Sequence, residues 1–127
     1  METISLKETR PLFLTKEGMP RKERLLTIEE ICNELDKPIS DDSIERAYQL
    51  QFARSVMSAL KKFFREHHII FIAPKIEGEI YYGFSSKPEL IENYIDRVHK
   101  IALSYRHIEN EVKMIANGQL PLIPMKL

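Results

Sequence analysis

The feature that most constrains this chain is a heptad repeat of apolar residues towards its C-terminus. The apolar positions alternate in steps of three and four over four heptads: Ile91, Tyr94, Val98, Ile101, Tyr105, Ile108, Val112 and Ile115. Such a repeat places all eight side chains on one stripe of a helix, as in the seam of a coiled coil. The stripe predicts either pairing with a second copy, which makes the protein a homodimer, or packing on the helix's own domain.

Local sequence signals predict where this dimerisation helix begins and ends. The residues Ser86-Lys87-Pro88-Glu89 have the pattern of a capping box with proline in the first turn, and Asn117-Gly118 is typical of a helix stop. A helix from about Lys87 to Ala116, within residues 87–118, is therefore expected. Residues 119–127 are apolar and rich in proline, and we expect this tail to pack along a groove.

Two amphipathic helices are predicted earlier in the chain. Thr27 is a good N-cap, Glu30 completes a capping box, and Pro38 prevents continuation. A second helical region opens after Asp42 and carries an apolar stripe of Ile44, Ala47, Tyr48, Phe52, Val56, Ala59, Leu60 and Phe63. Its opposite face is polar and contains almost no acid. The pattern fits one helix to about residue 66 or two helices broken near Gln49.

A β-hairpin is predicted between the second and the last helix. Residues 69–73 and 80–84 are rich in β-branched and aromatic side chains, and Gly78 between them can supply the positive φ of a tight turn. By contrast, residues 1–24 contain two prolines and a glycine, and we expect an N-terminal arm of low order with one short extended segment. The elements together predict an α+β, mostly helical fold.

Composition excludes several classes of protein. No apolar run approaches the roughly 18 residues of a membrane-spanning helix, and no basic stretch leading into an apolar one follows Met1. We therefore expect a cytoplasmic protein with no membrane partner. Cys32 is the only cysteine, which excludes an intramolecular disulfide and a multi-cysteine zinc site. Because Cys32 falls on the inward face of the first amphipathic helix, it is expected to be a small buried hydrophobe.

Groups that could bind a metal ion or support catalysis lack the necessary spacing. His67 and His68 are adjacent, and His99 and His107 lie two helical turns apart, whereas ligands on one helix usually sit three or four residues apart. The four glycines are isolated from one another, so there is no glycine-rich phosphate loop. The clustered acids are explained as helix caps. We expect no metal, no cofactor and no catalytic site, so the protein is not expected to be an enzyme.

The charges cancel overall but are segregated along the chain. Residues 46–75 hold six basic side chains and one acidic side chain, whereas residues 27–45 hold one basic and seven acidic. A basic block of this kind attracts an anionic partner such as nucleic acid, because lysine and arginine supply the sequence-independent affinity for phosphate. The alternative is that the two blocks face each other within the fold.

The order of elements, a capped helix, a basic-faced helix, a β-hairpin and a heptad helix, resembles the winged helix-turn-helix superfamily of DNA-binding proteins. Its small dimeric PadR-like and ArsR-like regulators are the most similar kind. Phe52 to Ile70 looks like a recognition helix that runs into the first wing strand, and Ile80 to Ser85 looks like the returning strand. The resemblance covers about residues 25–116. It implies a winged-helix domain over residues 25–86 and a homodimeric transcriptional regulator that binds double-stranded DNA.

The resemblance also implies which side chains contact DNA. A recognition helix lies in the major groove, so candidates for contact with bases or phosphates are Arg46, Gln49, Gln51, Arg54, Ser55 and Ser58. Contacts with the DNA backbone are expected from Lys61, Lys62 and Arg65, with a weak one from Lys75 on the wing. The acidic wing tip, with Glu77 and Glu79, is expected to stand away from phosphate. The alternative is that the same basic face binds an acidic protein partner and no DNA.

Overall fold

The computed structural model describes residues 3–116, apart from the side chains of residues 111, 115 and 116. The described chain is α+β and mostly helical, as the sequence predicts. It falls into two compact units, Met1–Ile91 and Glu92–Leu127. The predicted apolar tail, residues 119–127, lies outside the described residues. No helix in the described part is long and apolar enough to span a membrane.

The first unit contains three α-helices, a 3-10 helix and four short strands. In chain order they are α1 (Leu6–Thr9), the 3-10 helix (Arg10–Phe13), β1 (Leu25–Leu26), α2 (Ile28–Glu34), α3 (Ser43–Glu66), β2 (Lys75–Ile76), β3 (Glu79–Ile80) and β4 (Tyr82–Gly83). The helix α4 (Pro88–Ala116) begins in this unit and continues as the described part of the second unit.

Local capping explains where α2 and α3 begin. The Thr27 hydroxyl accepts a hydrogen bond from the Glu30 amide, and the Glu30 carboxylate accepts one from the Thr27 amide, which confirms the predicted capping box. The Asp42 carboxylate accepts hydrogen bonds from the amides of Ile44 and Glu45. From there α3 is one continuous helix of 24 residues, so the sequence alternative of two helices is wrong.

The strands form two small antiparallel sheets. The hairpin, residues 71–84, contains less regular strand than predicted: residues 69–73 are joined to β4 by the isolated bridge between Ile72 and Gly83, and β2 pairs with β3 beside the turn, with Ile76 opposite Glu79. The two turn residues Glu77 and Gly78 both have positive φ, as a type I′ turn requires. The second sheet joins β1 to β4 with Leu25 opposite Gly83. A side chain at Gly83 would place Cβ 1.7 Å from the carbonyl oxygen of Arg24. Only glycine lets the two strands approach this closely.

Four aromatic rings form the centre of the core. Phe13, Phe64, Phe71 and Phe84 are buried, and their ring centroids lie 5.0 to 6.3 Å apart in mostly edge-to-face pairs. These rings come from the 3-10 helix, the C-terminal end of α3 and both sides of the hairpin. The core therefore fixes the hairpin against α3.

The N-terminal segment is part of this core, so the expected low order of residues 1–24 is wrong for its described part. Ile4, Thr9 and Phe13 are buried. Lys37 donates to the carboxylate of Glu8 at 2.8 Å, which ties α1 to the segment after α2. The Lys37 ammonium holds the pKa of Glu8 below its usual value.

Only part of the apolar stripe predicted on α3 is buried: Val56 and Leu60 are buried and Phe63 is half-buried, whereas Ala59 is exposed. The side chains that face the core are Ala53, Val56, Met57, Leu60 and Phe64. In contrast, Ile44, Tyr48 and Phe52 are 79%, 53% and 40% exposed. The helix therefore extends beyond the core at its N-terminal end, because no other element of the first unit covers these turns. The spacing of the stripe predicts the helix correctly, but the core covers a shorter length of the helix than the stripe indicates.

Helix α4 begins at Pro88, close to the predicted start, and continues to Ala116, the last described residue, so the predicted stop at Asn117-Gly118 lies outside the described residues. The predicted capping box pairs the Ser86 amide with Glu89, but this amide has the Glu23 carboxylate as its acceptor. The amide and the hydroxyl of Ser86 both donate to the carboxylate of Glu23, and the Ser85 hydroxyl donates to the same carboxylate at 2.9 Å. These bonds hold the pKa of Glu23 below its usual value. The start of α4 is thereby tied to the segment before β1.

Candidate functional site

Three of the predicted DNA-binding residues line one cavity between α3 and the hairpin. Arg54, Ser58 and Lys61 follow one another at spacings of four and three, which puts them on one flank of α3. They line a cavity of about 220 Å³ whose other wall includes Phe71, Ala73 and Tyr82. Because the rings of the core hold both walls, the cavity has a fixed position beside the hairpin.

Arg54 occupies the central position of this region. It also lines a second cavity of about 260 Å³ with the start of α2 and the hairpin turn, including Thr27, Glu29 and Glu79. Burial raises the pKa of the Tyr82 hydroxyl, and the nearby Arg54 guanidinium partly opposes this rise. The two acids make the turn side of Arg54 unfavourable for an anion. An anion would therefore approach Arg54 from the side of Ser58 and Lys61.

The other predicted contact residues are distributed around α3. Two of them, Gln51 and Ser55, line a separate cavity of about 190 Å³ with Tyr48 and Phe52. Gln49 is half-buried, and its side-chain oxygen accepts a hydrogen bond from the Ser40 amide at 2.8 Å. Exposed side chains away from these cavities are Arg46, Lys62 and Arg65 on α3 and Lys75 on β2. Only part of the predicted set is therefore brought together.

A second basic region was not predicted, because its residues were assigned to an arm of low order. Lys7, Arg10 and Lys16 line a cavity of about 350 Å³, with Phe63 of α3 as an apolar wall. The Arg10 guanidinium lies 4.5 Å from the centre of the Phe63 ring, in cation–π geometry. The excess of basic residues in the first 26 positions was the available sequence signal.

The seam predicted on α4 is exposed over most of its described length. Val98, Ile101, Tyr105, Ile108 and Val112 are between 46% and 71% exposed. Ile91 and Tyr94 are half-buried, and the side chain of Ile115 lies outside the described residues. A row of five exposed large apolar residues is far more than scattered surface positions require. Among the described residues of α4, this row is therefore an exposed apolar stripe.

The remaining reactive groups do not form a site. Across residues 3–116, no group of three histidine, cysteine, aspartate or glutamate side chains is arranged to hold a metal ion. Cys32 is buried on α2, as predicted, and burial raises the pKa of its thiol. A raised pKa disfavours the nucleophilic thiolate.

Any functional proposal for this protein depends on the geometry of the candidate site. No family model, no curated protein and no solved structure matches the chain.

Proposed function

We propose that the protein is a homodimeric, sequence-specific DNA-binding protein of the winged-helix type and acts as a transcriptional regulator. Two features of the first unit support the fold part of this proposal. A short strand, β1, lies between the first helix and α2, and it pairs with β4, the strand that returns from the hairpin. The long helix α3 directly precedes the hairpin. In this arrangement α3 is the recognition helix and the hairpin is the wing.

The observation that carries the proposal is the cavity between α3 and the hairpin, with Arg54, Ser58 and Lys61 on one wall. A DNA strand that passes between a recognition helix and a wing presents its phosphates to such a cavity. Arginine and lysine donate charge-assisted hydrogen bonds to phosphate oxygens, and serine donates a neutral one. The adjoining exposed residues of α3, Gln51 and Ser55, then face base edges in the major groove.

The hairpin tip makes a smaller contribution than the helix. Glu77 and Glu79 repel phosphate at short range, so the tip stands away from the duplex. Lys75, on β2, offers a weak phosphate contact. Specificity therefore comes from α3, and the hairpin serves mainly as the second wall of the cavity.

The dimer follows from the exposed seam of α4. Pairing two copies through Val98, Ile101, Tyr105, Ile108 and Val112 removes these side chains from water. A dimer also carries two copies of α3, and two binding modules on one molecule raise affinity without any new type of contact.

The test is DNA binding by charge-neutralised variants over a series of salt concentrations. Arg54→Gln with Lys61→Gln removes two charges but keeps much of each side-chain stem, and circular dichroism checks that the variant is folded. The matched control, Lys100→Gln with Arg106→Gln, removes two exposed charges of α4 outside the seam. Fluorescence anisotropy with random-sequence duplex measures the slope of log affinity against log salt, which falls by about 0.9 for each lost phosphate contact.

We expect a steep slope for the unmodified protein, a slope lower by about 1 to 2 for the α3 variant, and little change for the control. A slope near zero for the unmodified protein contradicts DNA binding. Equal losses in the two variants contradict the position of the site, because only the overall charge would then matter.

The exposed apolar turns of α3 favour a second candidate, an adaptor that binds an acidic protein partner and no DNA. Ile44, Tyr48 and Phe52 form an exposed row next to the basic flank of α3. Aromatic side chains are enriched at protein interfaces, and phosphate contacts do not need them. This candidate predicts that DNA binding is absent at physiological salt and that Tyr48→Ala abolishes binding to the partner.

A further inference from the structure

The exposed seam of α4 carries information about the direction in which two copies pair. In heptad notation, Val98, Tyr105 and Val112 occupy a positions, and Tyr94, Ile101 and Ile108 occupy d positions. The five seam residues that are 46% to 71% exposed lie on one continuous stripe over about four turns of the helix. A second copy of the same helix presents a matching stripe that can cover it.

The two directions of pairing bring seam residues of different sizes to face each other. In a parallel pair each residue meets its own copy, so Tyr105 faces Tyr105 and Val98 faces Val98. In an antiparallel pair centred on residue 103, a positions face d positions: Tyr94 faces Val112, Val98 faces Ile108, and Ile101 faces Tyr105. Cores pack best when large and small side chains alternate across facing positions. The antiparallel pair gives every tyrosine a smaller β-branched partner, whereas the parallel pair stacks tyrosine on tyrosine.

The flanks of the seam favour the same direction. At the centre of the antiparallel pair, Ala102 faces Ala102 and Ser104 faces Ser104, and small residues allow the backbones to approach. In the parallel pair Ala102 instead faces Arg97, and Ser104 faces Glu109, so the small residues do not meet each other.

We propose that two copies of α4 pair antiparallel about residue 103. This proposal rests on the homodimer of the proposed function and adds its direction and register. Ile91 lies 12 residues from the axis, so at 1.5 Å per residue the two copies of Ile91 are about 36 Å apart. In a parallel pair the same two residues lie only about 10 Å apart.

Disulfide formation between single-cysteine variants tests the direction. Val98→Cys and Ile108→Cys are prepared separately, one with a larger terminal tag, and are mixed in denaturant, refolded and equilibrated in a glutathione redox buffer. Facing a and d residues come within the roughly 4.4–6.8 Å between Cα atoms that a disulfide needs. In an antiparallel pair residue 98 lies about 15 Å along the axis from its own copy. The unmodified protein is the control, because its only cysteine, Cys32, is buried.

We expect a disulfide-linked species of mixed size in the mixture and none in either variant alone. Linkage within each separate variant, without the mixed species, overturns the antiparallel direction but leaves the dimer intact. No linkage in a protein that light scattering shows to be dimeric overturns the register. No linkage in a monomeric protein overturns the dimer as well, and the salt series with random duplex then reports separately on DNA binding. Circular dichroism confirms that each variant is folded.

Discussion

Charge placed in the seam of α4 should convert the protein to a monomer. The change is Ile101→Asp together with Ile108→Asp, two seam positions that are 51% and 52% exposed in the single chain. Burying the exposed half of an isoleucine stabilises by about 1 kcal/mol. Four such side chains in a dimer therefore contribute about 4 kcal/mol. Each aspartate in a desolvated seam adds a further cost of several kcal/mol.

The dimer should be weakened by at least about 1,000-fold, since each 1.4 kcal/mol is a factor of ten. Light scattering during gel filtration at micromolar concentration measures the mass directly. The matched control is Leu103→Asp with Asn110→Asp, which adds the same charge to the same helix on the face opposite the seam. Helix content by circular dichroism should be similar in the two variants. A seam variant that stays dimeric at low concentration would refute the reasoning, as would a control that dissociates equally.

Three further results are expected. Glu77→Gln with Glu79→Gln should change DNA affinity little, since a tip that stands away responds only through the screened long-range field; a tenfold gain at low salt would show that the tip contacts the duplex. Phe13→Ala should destabilise the protein by about 3–5 kcal/mol in urea unfolding, whereas an arm of low order predicts no loss. Because Lys37 lowers the folded-state pKa of Glu8, their ion pair stabilises above the unfolded-state pKa near 4.5 and its contribution is lost as pH falls through the folded-state pKa. Glu8→Gln should therefore lower the melting temperature at pH 7, and this effect should shrink as the pH falls through the folded-state pKa of Glu8.

The elements that the sequence predicted correctly are those with local signals. The capping box at Thr27, the positive φ at Gly78 and the cap at Asp42 each depend on residues within four positions of one another. Such contacts form whenever the helix or turn forms, so spacing and residue type are enough to find them. The same holds for the described part of α4, whose heptad repeat is local.

The elements that the sequence did not predict depend on distant contacts. Phe13 is buried because rings from α3 and the hairpin surround it, and no pattern within residues 1–24 indicates those neighbours. Gly83 was an isolated glycine in the sequence, and its role becomes visible only beside Arg24. The candidate site shows the same division. Helical spacing puts Arg54, Ser58 and Lys61 on one flank, but their position beside the hairpin depends on the aromatic core.

The exposed start of α3 sets a physical condition on any partner of this protein. Asp41, Asp42 and Glu45 lie at that end, so it combines negative charge with the exposed side chains of Ile44 and Tyr48. Phosphate is repelled by such acids, and burying these apolar side chains needs a surface that is not highly charged. The basic flank around Arg54 begins about two turns later. A duplex in contact with that flank therefore leaves the first turns of α3 free, and a protein surface can cover them while DNA is bound. Such a protein surface differs from the acidic partner of the second candidate, because it contacts the first turns of α3 and does not compete with DNA for the basic flank.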